Sequence, residues 1–124
     1  MGNRDVGFVG LGIMGRPMAK NLIESQYKLT VYDIIDTSTE ELVSLGAHPA
    51  SSPREVAEQT QVVITMVPDS ADSEAAILGT NGVLKGTSPE STVIDMSSIA
   101  PSTSQKIAEA CEAQGVSFLD APVS

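Results

Sequence analysis

Short apolar stretches recur along the chain, separated by longer stretches of mixed polarity. The apolar stretches cover residues 6–9, 29–32, 62–67, 93–96 and 116–119, and in several of them successive residues are apolar. Strands of a parallel sheet are covered on both faces, so they are apolar at successive positions rather than at alternate ones. The pattern therefore predicts strands of one parallel sheet.

The stretches between these strands carry the residues that begin and end helices. Thr37 followed by Glu40 is typical of a capping box, and Gly46 stands where a helix C-terminus favours glycine. Ser52, with a proline directly after it and an acid three residues later, predicts the start of a second such helix. Helices are also predicted over residues 70–78 and from Pro101 to a stop at residue 115.

Together these elements alternate as β-α-β-α-(short β)-α-β-α-β-α-β. Short connections between alternating strands and helices favour right-handed crossovers and one parallel sheet. We therefore expect an α/β fold, a Rossmann-type doubly wound parallel sheet, with residues 1–124 forming a single domain.

Composition excludes several classes of function. The formal net charge of −9 opposes binding to nucleic-acid phosphates, and no apolar run is long enough to span a membrane. The single cysteine, Cys111, cannot form an internal disulfide, which favours a reducing, cytoplasmic location. The acids near residue 70 are ordinary for a first helical turn, so no metal site is expected. The only histidine, His48, is interpreted as a loop residue.

Three glycines follow the first apolar stretch in the segment GLGIMG. Gly10 would allow a tight turn, Gly12 would let the backbone approach a pyrophosphate, and Gly15 would let the next helix pack closely on the strand. That helix begins near Ile13 and directs unpaired N–H groups and a positive dipole end at the turn. An acidic chain can thus bind a diphosphate through its backbone.

The second strand leads into Asp33, about twenty residues after the glycines, as a dinucleotide-binding fingerprint requires. A carboxylate at this strand end accepts hydrogen bonds from the adenosine ribose and repels a 2′-phosphate. Two isoleucines follow Asp33 where NADP sites usually carry an arginine. The predicted cofactor is therefore NAD.

The chain resembles the β-hydroxyacid dehydrogenases in four segments, which occur in the expected order: GFVGLGIMGRPMAKNL, VVITMVPDS, VIDMSSIAP and LDAPVS. The last segment is similar to the start of that family's DAPVSGG motif. The resemblance assigns roles by position. Backbone at Ile13 and Met14 would contact the pyrophosphate, and Asp33 the ribose. The loop of Met66, Val67 and Pro68 would lie along the cofactor, Ser97 would face the nicotinamide half, and Ser98 and Ser124 would bind substrate. For Ser97 and Ser98, capping of the following helix is the alternative interpretation.

The resemblance implies oxidation or reduction of a small β-hydroxyacid or its semialdehyde. Within the family, GLGIMG and IDMSSIAP look closest to the reductases of tartronate semialdehyde (2-hydroxy-3-oxopropionate), with 3-hydroxyisobutyrate dehydrogenases as the alternative and a phosphogluconate-type relative as a remoter one. A non-catalytic nucleotide-binding or interaction module is the alternative of another class. The family's general acid–base lysine lies beyond DAPVSGG, as does its helical second domain, so no catalytic residue is assigned here. We expect this chain to be inactive alone and to form a homo-oligomer through apolar sheet surface.

Overall fold

The computed structural model describes residues 5–11, 14–34 and 37–122, with only the backbone at residues 37 and 38. All strands of the described sheet are parallel and lie in the order β3-β2-β1-β4-β5-β6. Their bounds are β1 Asp5–Val9, β2 Lys28–Tyr32, β3 His48–Pro49, β4 Val62–Thr65, β5 Thr92–Asp95 and β6 Ser117–Asp120. The alternation of strands and helices predicted from the sequence is confirmed.

Helices connect each strand to the next. They are α1 Gly15–Glu24, α2 Thr37–Ser44, α3 Pro53–Gln59, α4 Ser70–Leu78 and α5 Pro101–Ala113, with a 3-10 turn at Val83–Lys85 before β5. Within the described residues, no helix has the length and apolar character needed to cross a bilayer.

Several helices begin and end at the capping residues and glycines that the sequence predicted. The Ser52 hydroxyl caps α3 by accepting a hydrogen bond from the Glu55 N–H at 3.1 Å. Gly46 and Gly115 end α2 and α5 with positive φ angles of 114° and 75°, which glycine adopts without steric cost. The Thr37 side chain, predicted to cap α2, lies outside the described residues; the helix itself begins at Thr37.

Two apolar clusters cover the two faces of the sheet. One packs α1 and α2 through Ala19 and Leu42 against β1 and β2. The other packs α3, α4 and α5, through Val56, Ile77 and Ile107, against β4 and β5. Because both faces are covered, the sheet is doubly wound, as the successive apolar positions predicted.

The order of the strands reverses beside β1. From β1 the chain builds β2 and β3 on one side, and then crosses to add β4, β5 and β6 on the other. In open α/β sheets the ligand crevice lies beyond the carboxyl ends of the strands at such a reversal. The residues that follow Val9, Tyr32 and Thr65 therefore lie where a ligand crevice is expected.

One predicted strand is too long. The apolar stretch predicted a strand over residues 62–67, but β4 ends at Thr65. The Met66 N–H still bonds to the Val9 carbonyl at 2.9 Å, whereas the Val67 N–H bonds to the Ser97 hydroxyl at 2.8 Å. A side chain has replaced the backbone partner, and the sheet ladder stops there.

Candidate cofactor-binding site

A cleft of about 620 Å³ lies where the strand order reverses. The glycine turn after β1, the end of β2 and the loop after β4 line it, together with one face of α4. Of the predicted cofactor residues, the cleft is lined by Gly10, Met14, Gly15, Asp33, Met66, Val67 and Pro68.

The glycine turn has no room for side chains at two positions. Gly10 has a φ of +96°, and a Cβ there would collide with the Met66 carbonyl oxygen. A Cβ on Gly15 would collide with the carbonyl oxygen of Gly10. Gly10 therefore permits both the turn and its close approach to the loop after β4. Gly15 lets α1 pack against the turn and, as predicted, against the strand, since a Cβ there would also press on the Phe8 ring of β1.

Asp33 is fixed against the glycine turn. Its Oδ2 accepts a hydrogen bond from the Leu11 N–H at 2.5 Å, across a sequence separation of 22 residues. The side chain lines the cleft between Tyr32 and Ile34, and Ile34 is 85% exposed. The turn and the acid, which the sequence linked only by spacing, are thus joined directly.

The N-terminus of α1 is built differently from those of α3 and α4. Ser52 and Asp69 cap α3 and α4 through their side chains, and each of those helices has an acid in its first turn. Met14 precedes α1 without a side-chain cap, and the first turn of α1 contains no acid. Asp33 and Asp72 are the charged residues among those lining the cleft. Among the residues that line the cleft, the favourable field for an anion therefore comes from backbone N–H groups and the helix dipole; Arg16, in the first turn of α1, is a cation close to this end of the helix but does not line the cleft.

The loop after β4 forms a wall of the cleft. Met66 and Val67 are half-buried and Pro68 is exposed. Ser97 does not line the cleft: it is 2% exposed, and its hydroxyl accepts the Val67 N–H. Ser97 acts on the described cleft through Val67, and its predicted contact with the nicotinamide half stays a prediction.

The remaining predicted positions are spread more widely. Gly12, Ile13 and Ser124 lie outside the described residues. Ser98 is exposed in the loop before α5 and does not line the cleft. Helix α5 is preceded at its N-cap by Ala100 rather than by a serine, so the capping interpretation of Ser97 and Ser98 is wrong.

Sequence reasoning missed the far side of the cleft. Tyr32, Pro53, Asn81 and the α4 residues Asp72, Ala75 and Ala76 complete its lining. The α4 residues on this side of the cleft include two alanines, whose small side chains take up little of its space. The composition of α4 is ordinary, so its sequence does not indicate which face of the helix lines a cleft. Asp95, the last residue of β5, was also not singled out, although it is a fully buried carboxylate.

Other candidate groups are placed away from the cleft. His48 lies in the short strand β3, so its interpretation as a loop residue is wrong. It is exposed and lines a separate depression of about 360 Å³ with Asp5, Lys28, Thr30 and Gln59, at the amino-terminal end of β1 and β2. Burial raises the pKa of the Cys111 thiol to about 11, so it is not a nucleophile at neutral pH. Among the described residues no group of acids, histidines and cysteines could hold a metal ion.

Three features meet where the strand order reverses: a glycine turn, a helix N-terminus without a side-chain cap and a carboxylate at a strand end. Together they define a dinucleotide-binding domain. The family described as the NAD binding domain of 6-phosphogluconate dehydrogenase matches residues 5–124, and the chain belongs to that family. This confirms NAD as the type of cofactor, and the similar proteins below confirm the resemblance to the β-hydroxyacid dehydrogenases.

Two similar proteins are named as dehydrogenases. The chain is 47% identical over 119 residues to the mitochondrial 3-hydroxyisobutyrate dehydrogenase of Rattus norvegicus, covering 96% of this chain and 36% of that protein. It is 40% identical over 121 residues to an NAD-dependent L-serine dehydrogenase of Pseudomonas aeruginosa, covering 98% of this chain and 41% of that protein. The chain thus spans about two fifths of the length of these relatives.

A solved structure of Mycobacterium tuberculosis 3-hydroxyisobutyrate dehydrogenase with L-serine has the same fold. It superposes with a TM-score of 0.89 at 30% identity, and the match covers 100% of this chain and 41% of that one. The described sheet and helices therefore correspond to the fold of an oxidoreductase.

Proposed function

We propose that the cleft binds NAD with its pyrophosphate at the N-terminus of α1 and its adenosine ribose at Asp33. The observation that carries this assignment is the hydrogen bond from the Leu11 N–H to the Asp33 carboxylate, which joins the glycine turn and the strand-end acid in one cleft. A carboxylate can accept several hydrogen bonds, so Asp33 can serve Leu11 and a ribose hydroxyl together.

The choice of NAD over NADP is proposed to rest on the Asp33 charge. Replacing it in Asp33→Ala should weaken NAD binding by about 1–3 kcal/mol, because charge-assisted hydrogen bonds to the ribose are lost. NADP binding should hold or improve, because a 2′-phosphate no longer meets a carboxylate. Titration calorimetry with both cofactors measures this difference.

Asp72→Ala is the matched control, since Asp72 is the other acid lining the cleft. Removing its charge should change the affinities for NAD and NADP in the same direction and leave their ratio near that of the wild type. An equal loss of both cofactors in Asp33→Ala would refute the ribose assignment.

For the reaction, we propose hydride transfer between the nicotinamide and a small β-hydroxyacid or its semialdehyde. The names of the relatives support this class, since 3-hydroxyisobutyrate and L-serine both carry a hydroxyl on the carbon next but one to a carboxylate. These relatives favour 3-hydroxyisobutyrate over tartronate semialdehyde, the substrate that the short motifs favoured. Both compounds belong in the first substrate panel.

We further propose that this chain binds cofactor without turning over substrate on its own. The lysines within the described residues lie away from the cleft: Lys20 on α1, Lys28 at the start of β2, Lys85 in the 3-10 turn and Lys106 on α5. General acid–base catalysis typically contributes about 10²–10⁴-fold, so a site without such a group should show little turnover. An NADH oxidation assay with tartronate semialdehyde and an NAD reduction assay with 3-hydroxyisobutyrate test this, and measurable turnover in either would overturn it.

We also propose a setting for this domain, namely the larger protein to which it belongs and the compartment in which it acts. Residues 1–124 would act as the cofactor half of a larger enzyme whose helical domain supplies the acid–base lysine, in a homo-oligomer. The buried, unpaired thiol of Cys111 supports a reducing compartment such as the cytoplasm. A fluorescent fusion with this chain tests the location, and export from the cytoplasm would contradict it.

A further inference from the structure

Three hydrogen bonds join the end of β4, the loop after it and the start of α4 to the end of β5 and the loop after that strand. The Thr65 hydroxyl donates to Asp95 Oδ1 at 3.0 Å, and the Val67 N–H donates to the Ser97 hydroxyl at 2.8 Å. The Ala100 N–H donates to the Ser70 hydroxyl at 2.8 Å. Each bond spans the same sequence separation of 30 residues.

The constant separation continues the register of the sheet. Thr65 pairs with Asp95 in the β4–β5 ladder, which fixes the offset of 30 residues. Beyond the last ladder bond, side-chain oxygens take over as acceptors from the backbone carbonyls. The residues that follow β4 and β5 therefore keep the 30-residue offset of the two strands after the strands have ended.

Asp95 lies at the centre of this network. It is fully buried, and its Oδ1 accepts hydrogen bonds from both the Thr65 hydroxyl and the Ser97 N–H, each at 3.0 Å. Its Oδ2 has no hydrogen-bond partner among the described residues. Burying a carboxylate with an unsatisfied oxygen opposes folding, so an apolar residue would serve the core better unless the acid organises something else.

The part of the molecule organised by Asp95 is the wall of the cleft. Ser97, positioned by Asp95, accepts the N–H of Val67, and Val67 lines the cleft. The wall lies on the β4 side of β1, whereas Asp33 follows β2 on the other side. A dinucleotide whose adenosine half is at Asp33 and which crosses the strand reversal would bring its nicotinamide half to this wall.

We propose that Asp95 is a positioning residue for the nicotinamide half of the cofactor, acting through Ser97 and the loop after β4. The inference rests on the proposed function, because it assumes that NAD occupies the cleft in the stated direction. Asp95 itself does not line the cleft and acts by holding an acceptor where Thr65 and Ser97 need it.

The test compares NADH with ADP-ribose, which shares the adenosine and pyrophosphate but lacks the nicotinamide. Affinities of the full chain for each ligand are measured by titration calorimetry, with folding checked by circular dichroism. Asp95→Ala and Ser97→Ala should lower the NADH affinity about fivefold to tenfold, the effect of losing a hydrogen bond that holds the wall. Affinity for ADP-ribose should change less than about twofold, since Asp33 and the glycine turn are untouched.

Two further variants separate positioning from stability. Asp95→Asn keeps an acceptor oxygen for Thr65 and Ser97, so it should retain the wild-type ratio of the two affinities. Ser91→Ala is the matched control for Ser97→Ala: Ser91 is 3% exposed and its hydroxyl accepts the Ser88 N–H at 3.0 Å, away from the cleft. It should cost stability without changing the ratio.

The outcomes distinguish this inference from the proposed function. A wild-type ratio in Ser97→Ala, or an equal fall in Ser91→Ala, would overturn the positioning role even if Asp95→Ala fails to fold. Equal affinity of the wild type for NADH and ADP-ribose would also overturn it, because the wall would then contribute nothing. If the wild type binds neither ligand, the proposed function itself fails.

Discussion

At the scale of single residues, Gly10 shows how a missing side chain shapes the cleft. Two demands meet there: a φ of +96° and contact with the Met66 carbonyl. Gly46 shares only the first demand, with a φ of +114° and open space around its missing Cβ. Comparing alanine substitutions at Gly10 and Gly46 therefore separates the cost of a positive φ angle from the cost of a steric collision with the loop after β4.

Gly46→Ala should lower the free energy of unfolding by about 1–2 kcal/mol, the cost of an L-residue in the left-handed region. Gly10→Ala should cost about 1–3 kcal/mol more, because the loop after β4 must also shift. Urea denaturation of both variants measures the difference. Equal losses would show that the Gly10 contact with Met66 is unimportant.

How far the site could be predicted differs from residue to residue. Gly10, Gly15 and Asp33 are recognisable because their spacing follows from the geometry of one strand, one turn and one helix. The roles of Asp95 and Ser97 depend on the β4–β5 register, which brings together residues 30 positions apart. No local pattern contains that register. The family resemblance named Ser97 as a cofactor residue, but its hydrogen bond to Val67 and the position of Asp95 beside it emerged only from the structure.

At the scale of elements, helix α3 is held by a reciprocal cap. The Ser52 hydroxyl accepts the Glu55 N–H, while the Glu55 carboxylate accepts the Ser51 N–H at 2.5 Å and the Ser51 hydroxyl at 3.0 Å. The hydrogen bonds from the Ser51 backbone and then from its hydroxyl hold the pKa of Glu55 below its ordinary value of 4.5. The ionised form is therefore favoured in the folded state.

A lowered carboxyl pKa stabilises the fold above the unfolded-state pKa, and this contribution is lost as the pH falls through the folded-state pKa. Glu55→Gln removes the titrating group but keeps an acceptor oxygen. Between about pH 7 and pH 3, the wild type should lose more of its free energy of unfolding than Glu55→Gln does. Thermal melts across this range check it, and parallel stability curves for the two proteins would contradict it.

The elements themselves were predicted well because their signals are local. Caps, helix-ending glycines and apolar stretches gave the order of strands and helices, and helix α4 was predicted with its observed bounds, Ser70–Leu78. The end of β4 was missed because Met66 and Val67 are as apolar as the strand before them. What ends the strand is a hydroxyl from Ser97 in the next loop, a tertiary contact.

At the scale of the whole molecule, the two edges of the described sheet differ. Strand β3 is short and contains Pro49, which cannot donate to a further strand. Strand β6 pairs only with β5 among the described residues, and its Leu119 is 57% exposed. An exposed apolar edge strand promotes pairing with another chain.

We therefore expect self-association at high protein concentration, which light scattering would detect as a mass above 12.9 kDa. Leu119→Lys should reduce it, because a charged side chain at a strand edge opposes pairing. Leu45→Lys, which replaces an exposed leucine outside the sheet, is the control and should leave association unchanged. A wild-type monomer at all concentrations would contradict the expectation.

The most direct test of the cleft as the NAD site is an NMR titration of the ¹⁵N-labelled chain with NADH. If NADH binds in the cleft, saturable amide shifts are expected at Gly10, Leu11, Asp33 and Val67, which line it. The amides of Thr60 and Ser91, which precede β4 and β5 at the opposite end of the sheet, should stay unchanged. Shifts confined to that opposite end, or no shifts with NADH at all, would contradict the assignment of the cleft as the NAD site.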